Sequence, residues 1–514
     1  MRSRSRGKGF YRVNSFDLTH DRKMTFKMGY LTPCLCKEVL PGDTWRLQTD
    51  LALRLAPMVA PMMHRVDVFV HYFFVPTRLM WKNWDKFLTG GAQGDENPIY
   101  PTKVVAGTSV AAGSLADYLG VPSGNAATVS AFPFRAYAMI YNEWYRDQNV
   151  IPPVAFTDAD GNDSITNITL LRRAWRKGYF ESALPWAQRG EQISVPMGEH
   201  APVKAVSGII KLPVYANSNT DTPHPYGAAI SGGATGTTLS WIRSTSNPQD
   251  PTDFDTNMQA DLTEASAVTI RDLRLAFQVQ RYLEKNARAG VRYIEWLAAH
   301  FGVKSSDARL QRPEYLGGGK SPVVVGEVLQ TSNTVPASPQ GNPAGTGVSA
   351  QRTLSFTRSF EEYGWIIGLV SVMPKPAYQQ GLDRQLTRFG RYDQVLPILS
   401  HIGDQPILTK ELYYQAKPLE DDKVFGYAPR YEELRKSYDT VHGQFRTTLD
   451  FWHLGRKFNT APLLNSTFIN CEPGKRVFAV TDANQDEIWM HMLHSIKALR
   501  PLPKYGDPGM LDHQ

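Results

Sequence analysis

Ten residues, Val66 to Val75, constrain the fold of this chain more than any other stretch. Val66, Val68, Val70, Tyr72 and Phe74 occupy one side of a period-two alternation, and Asp67, Phe69, His71, Phe73 and Val75 the other. Both sides are apolar for most of their length, so the segment reads as a strand covered on both faces, in the middle of a sheet. Pro76 ends it, because proline brings no N–H to a ladder. Trp365 to Met373 has the same character and is closed by Pro374 and Pro376. Forty glycines, thirty-five prolines and an aromatic content of 11% suit strands joined by long, turn-rich connections.

Helices enter as insertions that brace this β core. One is expected near Phe134 to Gln148, starting beside Pro133, with Ala138, Tyr141, Trp144 and Tyr145 at helical spacing. A second runs from about Thr263 to Phe301 with Ile270, Leu273, Phe277 and Ala287 along one stripe; Gly290 breaks or kinks it, and Gly302 fits a carboxy-terminal cap. Between Val214 and Asn257 the composition shifts to Gly, Ser, Thr, Asn and Pro, which reads as an exposed excursion without regular structure. Thr334 to Ala350 reads as a second such loop. The 514 residues equal roughly two to four ordinary domains, or one heavily inserted β domain. Loops that outweigh strands need a surface to settle on, and neighbouring copies of the chain are the expected one.

Charge is concentrated at the amino terminus. The formal net charge is +7, and Arg2, Arg4, Arg6, Lys8 and Arg12 lie among small and polar residues, as in an arm that neutralises phosphates without reading bases. A merely solvated terminus is the alternative. Phe10 and Tyr11 could stack on unpaired bases. The start MRSRSRGKGFYR lacks the apolar core of a secretory signal, so no export is expected. Trp365 to Met373 is far shorter than the roughly 20 residues of a membrane-spanning helix, so no membrane insertion is expected. Cys34, Cys36 and Cys471 are too few for a disulfide framework, which points to a reducing compartment and buried thiols.

Patterns that could carry chemistry each meet a simpler explanation. LGGGKS at Leu316 to Ser321 resembles a phosphate loop, but Glu314 stands where that motif needs its first glycine. His491 and His494 would share a helical face, yet Ile488, Met490 and Met492 alternate as in a strand, which separates the two imidazoles; no metal site is expected. Glu361 with Glu362 and Asp421 with Asp422 are adjacent pairs, better suited to turns or rims than to acid–base work. No GxSxG elbow, HExxH helix or EF-hand loop occurs, so neither catalysis nor a cofactor is expected. In LRRAWRKGYF, Arg172, Arg173, Arg176 and Lys177 bracket Trp175, as a nucleic-acid-binding patch would; subunit contacts or a solvated face are the competing explanations.

Blocks spread along the whole chain resemble microvirus major capsid proteins, especially the gokushovirus branch. They are FDLTHDRKMTF at Phe16 to Phe26, DVFVHYFFVPTRLMWKNWDKF at Asp67 to Phe87, GYFESALPWAQRG at Gly178 to Gly190, VRYIEWLAAHFGVKSSDARLQRPEYLGGG at Val291 to Gly319, EEYGWIIGLVSVMPKPAYQQGL at Glu361 to Leu382, FGYAPRYEELR at Phe425 to Arg435 and RPLPKYGDPG at Arg500 to Gly509. The resemblance implies a mainly β fold, an eight-stranded antiparallel jelly roll of the viral capsid type with long loop and helical insertions. It divides the chain into a basic arm at 1–15 and one inserted jelly-roll domain at 16–514, with a surface protrusion at 205–258 and a helical insertion at 263–302.

The function it implies is that of a major capsid protein, self-assembling into a small T=1 icosahedral shell around circular single-stranded DNA. Implied partners are further copies of the chain, the genome, scaffolding, minor and DNA-pilot virion proteins, and a host receptor met by the protrusion; implied locations are the virion and, during assembly, the host cytoplasm. Trp81, Trp84, Trp186 and Trp452 are candidate anchors at subunit contacts, with core packing as the alternative. Two other classes compete. A replication nickase needs a His-x-His metal pair, which is absent, whereas a glycan- or receptor-binding β sandwich acting as a lectin or spike fits the same architecture.

Overall fold

The computed structural model describes residues 13–190, 203–205, 210–214, 226–231, 238–243, 258–260, 270–289, 292–304, 306, 311–329, 331 and 341–504. The chain divides into two compact units, Met1–Arg189 with Glu284–Gln514, and Gly190–Leu283. In the larger unit eight strands carry the architecture: β1 His20–Phe26, β2 Thr32–Val39, β3 Thr44–Leu55, β4 Val66–Pro76, β5 Glu314–Pro322, β6 Pro343–Ser359, β7 Gly364–Pro374 and β8 Ile488–Arg500. They form two antiparallel sheets, one ordered β1-β8-β3-β6 and the other β2-β7-β4-β5. Asn14–Asp17 also pairs with β8, and Val324–Leu329 adds an edge to β6.

Alternation decides how the sheets meet. In β3, Trp45, Leu47, Thr49, Leu51, Leu53 and Leu55 are buried while the alternate residues between them reach solvent or the rim. Ile488, Met490, Met492, Ile496 and Ala498 do the same in β8, and these rows join Val66, Val68, Val70, Tyr72 and Phe74 of β4 in one core between the sheets. The opposite row of β4 is buried too. Phe73 and Val75, with Ile367 and Leu369 of β7, are covered by the helix α1 (Phe132–Ile140) and by Trp81. The second sheet is thus sandwiched as the sequence pattern requires, but its cover is the chain's own insertion rather than a neighbouring copy.

Two buried polar networks tie the elements together. Thr49 Oγ1 lies 2.6 Å from the Tyr72 hydroxyl and 2.9 Å from His494 Nδ1, and His494 Nε2 is 3.1 Å from the Cys34 carbonyl, so one network ties β3 and β8 to β4 and β2. Arg135 on α1 is fully buried; its Nε donates to Asp163 at 2.8 Å and its other nitrogens donate to the Met80 and Ala159 carbonyls. This bidentate-capable cation fixes the helix to the loops that cover the sheet.

Several elements differ from the sequence expectation. The helix expected to reach Gln148 changes at Tyr141 into a π-turn over Tyr141–Tyr145, and Arg146 is already extended. The second helix is two, α2 Ile270–Ala289 and α3 Tyr293–Phe301, the latter capped by Gly302 at φ +68° as anticipated; Thr263 to Thr269 and Gly290 lie outside the described residues. The excursion from Val214 to Asn257 is not without structure, since Tyr226–Ser231 pairs with both Ile210–Val214 and Thr238–Arg243. Gly227, Ala228 and Ala229 give that central strand too little hydrophobic contrast to register as one. Pro343 to Ala350, expected in a loop, belongs to β6.

LGGGKS lies inside β5, where the glycines permit close approach. A Cβ on Gly318 would sit 2.3 Å from the Val70 carbonyl oxygen. Gly318→Val is therefore expected to destabilise the chain by about 2 kcal/mol or more, whereas Gly326→Ala, whose nearest neighbour is 3.6 Å away, leaves the thermal midpoint nearly unchanged.

Burial pushes His494 down to about 4 and does the same to His71. Each stays neutral in the fold while its unfolded counterpart takes up a proton below about 6.5. Stability should thus fall as pH drops from about 6.5 to about 4, by roughly 3 kcal/mol per histidine across the window. Thermal melts across that range test this, and His494→Gln should flatten the slope.

Candidate nucleic-acid and subunit interfaces

The basic segment around Trp175 crosses the second sheet as an extended strap. Its backbone is held on both sides: Leu31 N donates to the Leu171 carbonyl at 2.9 Å, Arg173 N to Gly29 at 2.7 Å, Cys471 N to Arg173 at 2.8 Å and Trp175 N to Ile469 at 2.8 Å. Gly29 is required at φ +81°, since a Cβ there would lie 2.1 Å from the Cys471 carbonyl oxygen.

This strap turns three of the four cations toward one cavity and the fourth away from it. Arg172 stacks over Tyr30 at 4.3 Å and pairs with Glu472 at 2.9 Å. Arg173 turns inward, 4.3 Å over the Phe69 ring, and donates to Ser371 Oγ at 3.0 Å; burial lowers its pKa. Arg176 meets Asp67 at 3.1 Å and Lys177 meets Asp147 at 3.5 Å, both partly exposed. Arg173, Arg176 and Lys177 line one open cavity of about 510 Å³, and Arg172 does not.

Three further residues of this cavity, Arg146, Arg292 and Tyr315, escaped the sequence reading. The only available signal was their place beside aromatic blocks, WYR before Gln148 and PEYL before the glycines. Arg2, Arg4, Arg6, Lys8 and Arg12 lie outside the described residues.

The four tryptophans sort by burial. Trp81 is fully buried, with ring neighbours Trp84, Phe87, Tyr100 and Phe132, so it is a core residue and not an interface anchor. Trp84 is partly buried against the same cluster. Trp186 and Trp452 are also half-buried, and each has an indole N–H that is buried without a partner among the described residues.

A more prominent surface went unnoticed in the sequence. Between Asp383 and Gly403, Leu386, Phe389, Tyr392, Ile398 and Ile402 all project into solvent, Phe389 at 88% and Ile398 at 80% exposure. Their base is rigid: Arg384 pairs with Glu411 at 3.0 Å, Gln405 donates to Glu433 at 2.7 Å, and Arg388 pairs with Glu433. Large apolar side chains held out by an ion-paired base suit a contact surface, because a solvated loop gains nothing from them.

Groups with catalytic potential are occupied structurally. Burial pushes Cys34 and Cys36 up to about 12 and raises Cys471 as well, so the thiols are not nucleophiles. His491 and His494 stand on opposite faces of β8. Asp421 is buried, not at a rim, and accepts from the Gln415 and Lys417 amides. No group of three or more His, Cys, Asp or Glu side chains among the described residues could hold a metal ion. None of the described helices is long and apolar enough to cross a membrane.

Two packed sheets, one of them wrapped on its outer face by the chain's own insertions, with apolar loops held outward, define a structural protein whose edges are its working parts. Residues 8–510 match the family described as capsid protein (F protein), and the chain belongs to that family. It is similar to capsid protein VP1 of Bdellovibrio phage phiMH2K, 38% identical over 96% of this chain and 95% of that one. It is likewise similar to VP1 of Chlamydia phage 1, 36% identical over 97% and 96% of the two chains, and of Spiroplasma virus 4, 30% identical over 96% and 94%. The chain is thus a microvirus major capsid protein, a component of the virion and not an enzyme, which sets the lectin alternative aside.

Phe389→Ser combined with Ile398→Ser should leave the unfolding free energy within about 0.5 kcal/mol of the parent, as exposed sites do, and reduce assembly on a sizing column. Trp81→Ala should do the opposite first, costing about 3–5 kcal/mol of stability.

Proposed function

We infer that the two sheets form an eight-stranded jelly roll and that copies of it close into a T=1 shell around a circular single-stranded DNA genome. The observation that carries this is the strand order. With strands numbered along the chain, β1-β8-β3-β6 faces β2-β7-β4-β5 across one core, the arrangement two nested Greek keys produce. Residues 16–514 act as one inserted capsid domain, with 205–258 as the outward protrusion that meets a host receptor and 263–302 as a bracing helical insertion. Closed symmetry lets one repeated contact build a container, and the apolar segment from Leu386 to Ile402 supplies a surface for it. Trp84, Trp186 and Trp452 are secondary candidates at the same kind of contact.

Inside the shell the arm at 1–15, through Arg2, Arg4, Arg6, Lys8 and Arg12, holds the genome by displacing counterions, with Arg172, Arg173, Arg176 and Lys177 contributing from the strap. Scaffolding, minor and DNA-pilot proteins join the assembly in the host cytoplasm.

Binding of single-stranded DNA by the full chain should weaken with salt by about 0.7 log unit per log unit of salt for each phosphate contacted. Deleting Met1 to Arg12 should lower that slope by up to about 3.5 if all five cations contact phosphates; an unchanged slope and unchanged packaged DNA would contradict the arm's role.

A further inference from the structure

The 510 Å³ cavity under the strap shares a wall with a second of about 500 Å³, and the shared residues are Arg146, Gln148 and Arg292. Both volumes fall within the roughly 300–1,000 Å³ of small-ligand sites. Arg292 donates from Nη2 to the Arg146 carbonyl at 2.8 Å, which brings the two residues together, and the two guanidinium charges repel each other. Glu295, at 3.1 Å from Arg292, is the one carboxylate within ion-pair distance of either, among the described residues. Both guanidiniums also bury an Nε–H with no partner among the described residues. Arg146 Nη1 also donates to the Ile151 carbonyl and Arg292 Nη2 to that of Asn142, but these acceptors are neutral, and two adjoining cations with a single carboxylate between them form a place for an anion.

Aromatic faces flank that place. In the first cavity Tyr315 lies against Trp144, ring centres 5.7 Å apart, with Tyr145 beside them; Phe156 and Tyr293 line the second. Tyr315 and Tyr293 are 39% and 64% exposed and so have ring surface to offer. A phosphate carrying an aromatic base on each side is the repeating unit of a single-stranded nucleic acid.

We propose that the paired cavities bind one dinucleotide step of single-stranded DNA, with the bridging phosphate on Arg146 and Arg292 and the two bases in the flanking cavities. The assignment rests on the reading that the shell encloses single-stranded DNA, and it gives that reading a defined protein site independent of the basic arm. Arg173, half-buried in the wall of the first cavity with no carboxylate at ion-pair distance among the described residues, adds positive potential there.

Equilibrium binding to the purified full-length chain tests this with three probes: thymidylyl-thymidine, thymidine monophosphate and inorganic phosphate. Thymidylyl-thymidine should bind at least about tenfold more tightly than phosphate, with the monophosphate between, since each stacked base adds affinity. Arg146→Gln with Arg292→Gln should abolish binding. Tyr315→Ala should weaken binding by about tenfold while the chain still unfolds in one cooperative, if lower, transition, and it keeps the test decisive if the double variant misfolds. Equal binding of dinucleotide and phosphate, or indifference to Tyr315→Ala, overturns the proposal. Long single strands that bind through the arm while the dinucleotide does not would also overturn it and leave genome enclosure standing. Dinucleotide binding that persists when the arm is deleted and long-strand binding is lost would support it.

Discussion

Burying one sheet on both faces is the constraint on which the rest of this structure depends. Once β4 and β7 carry apolar side chains on both sides, the inner rows can be satisfied by β3 and β8, but the outer rows must be covered by something else. The chain supplies that cover from its own connections, led by α1 and the Trp81 cluster, and locks it with the buried pair of Arg135 and Asp163. The long loops are therefore structural first. Removing Asp163, which also lies 3.7 Å from buried Lys103, would strand two buried cations, so the cover and the sheet are expected to stand or fall together.

That division of labour explains how one chain can be both a stable fold and a building block. The interior closes on itself, leaving assembly to segments that the core does not need. Leu386 to Ile402 is the segment proposed for that role: its base is bound by Arg384, Arg388 and Gln405 to Glu411 and Glu433, while its tip is offered outward. Pre-ordering such a tip removes part of the entropy cost of association, which matters for a contact repeated throughout a shell.

Legibility in the sequence followed hydrophobic contrast. Val66 to Val75 and Trp365 to Met373 could be placed as doubly covered strands because period and composition agree there, and the separation of His491 from His494 followed from the same alternation. Tyr226–Ser231 could not, since Gly227, Ala228 and Ala229 carry no contrast to read. The cavity under the strap was half legible. Arg173, Arg176 and Lys177 form a visible basic run, but Arg146, Arg292 and Tyr315 reach it from separate parts of the chain, and only folding brings them together. Trp81 and Trp452 look alike in sequence, and burial alone separates a core residue from a surface candidate.

Hydrogen exchange on the free and the assembled chain tests the central claim most directly. Amides of Val68 to Phe74 and Ile366 to Val372 should be strongly and equally protected in both states, while protection across Leu386 to Ile402 should rise only on assembly. Free exchange of the two central strands in the unassembled chain, with protection gained only in the shell, would contradict this, because neighbouring copies and not the chain's own insertions would then complete the fold.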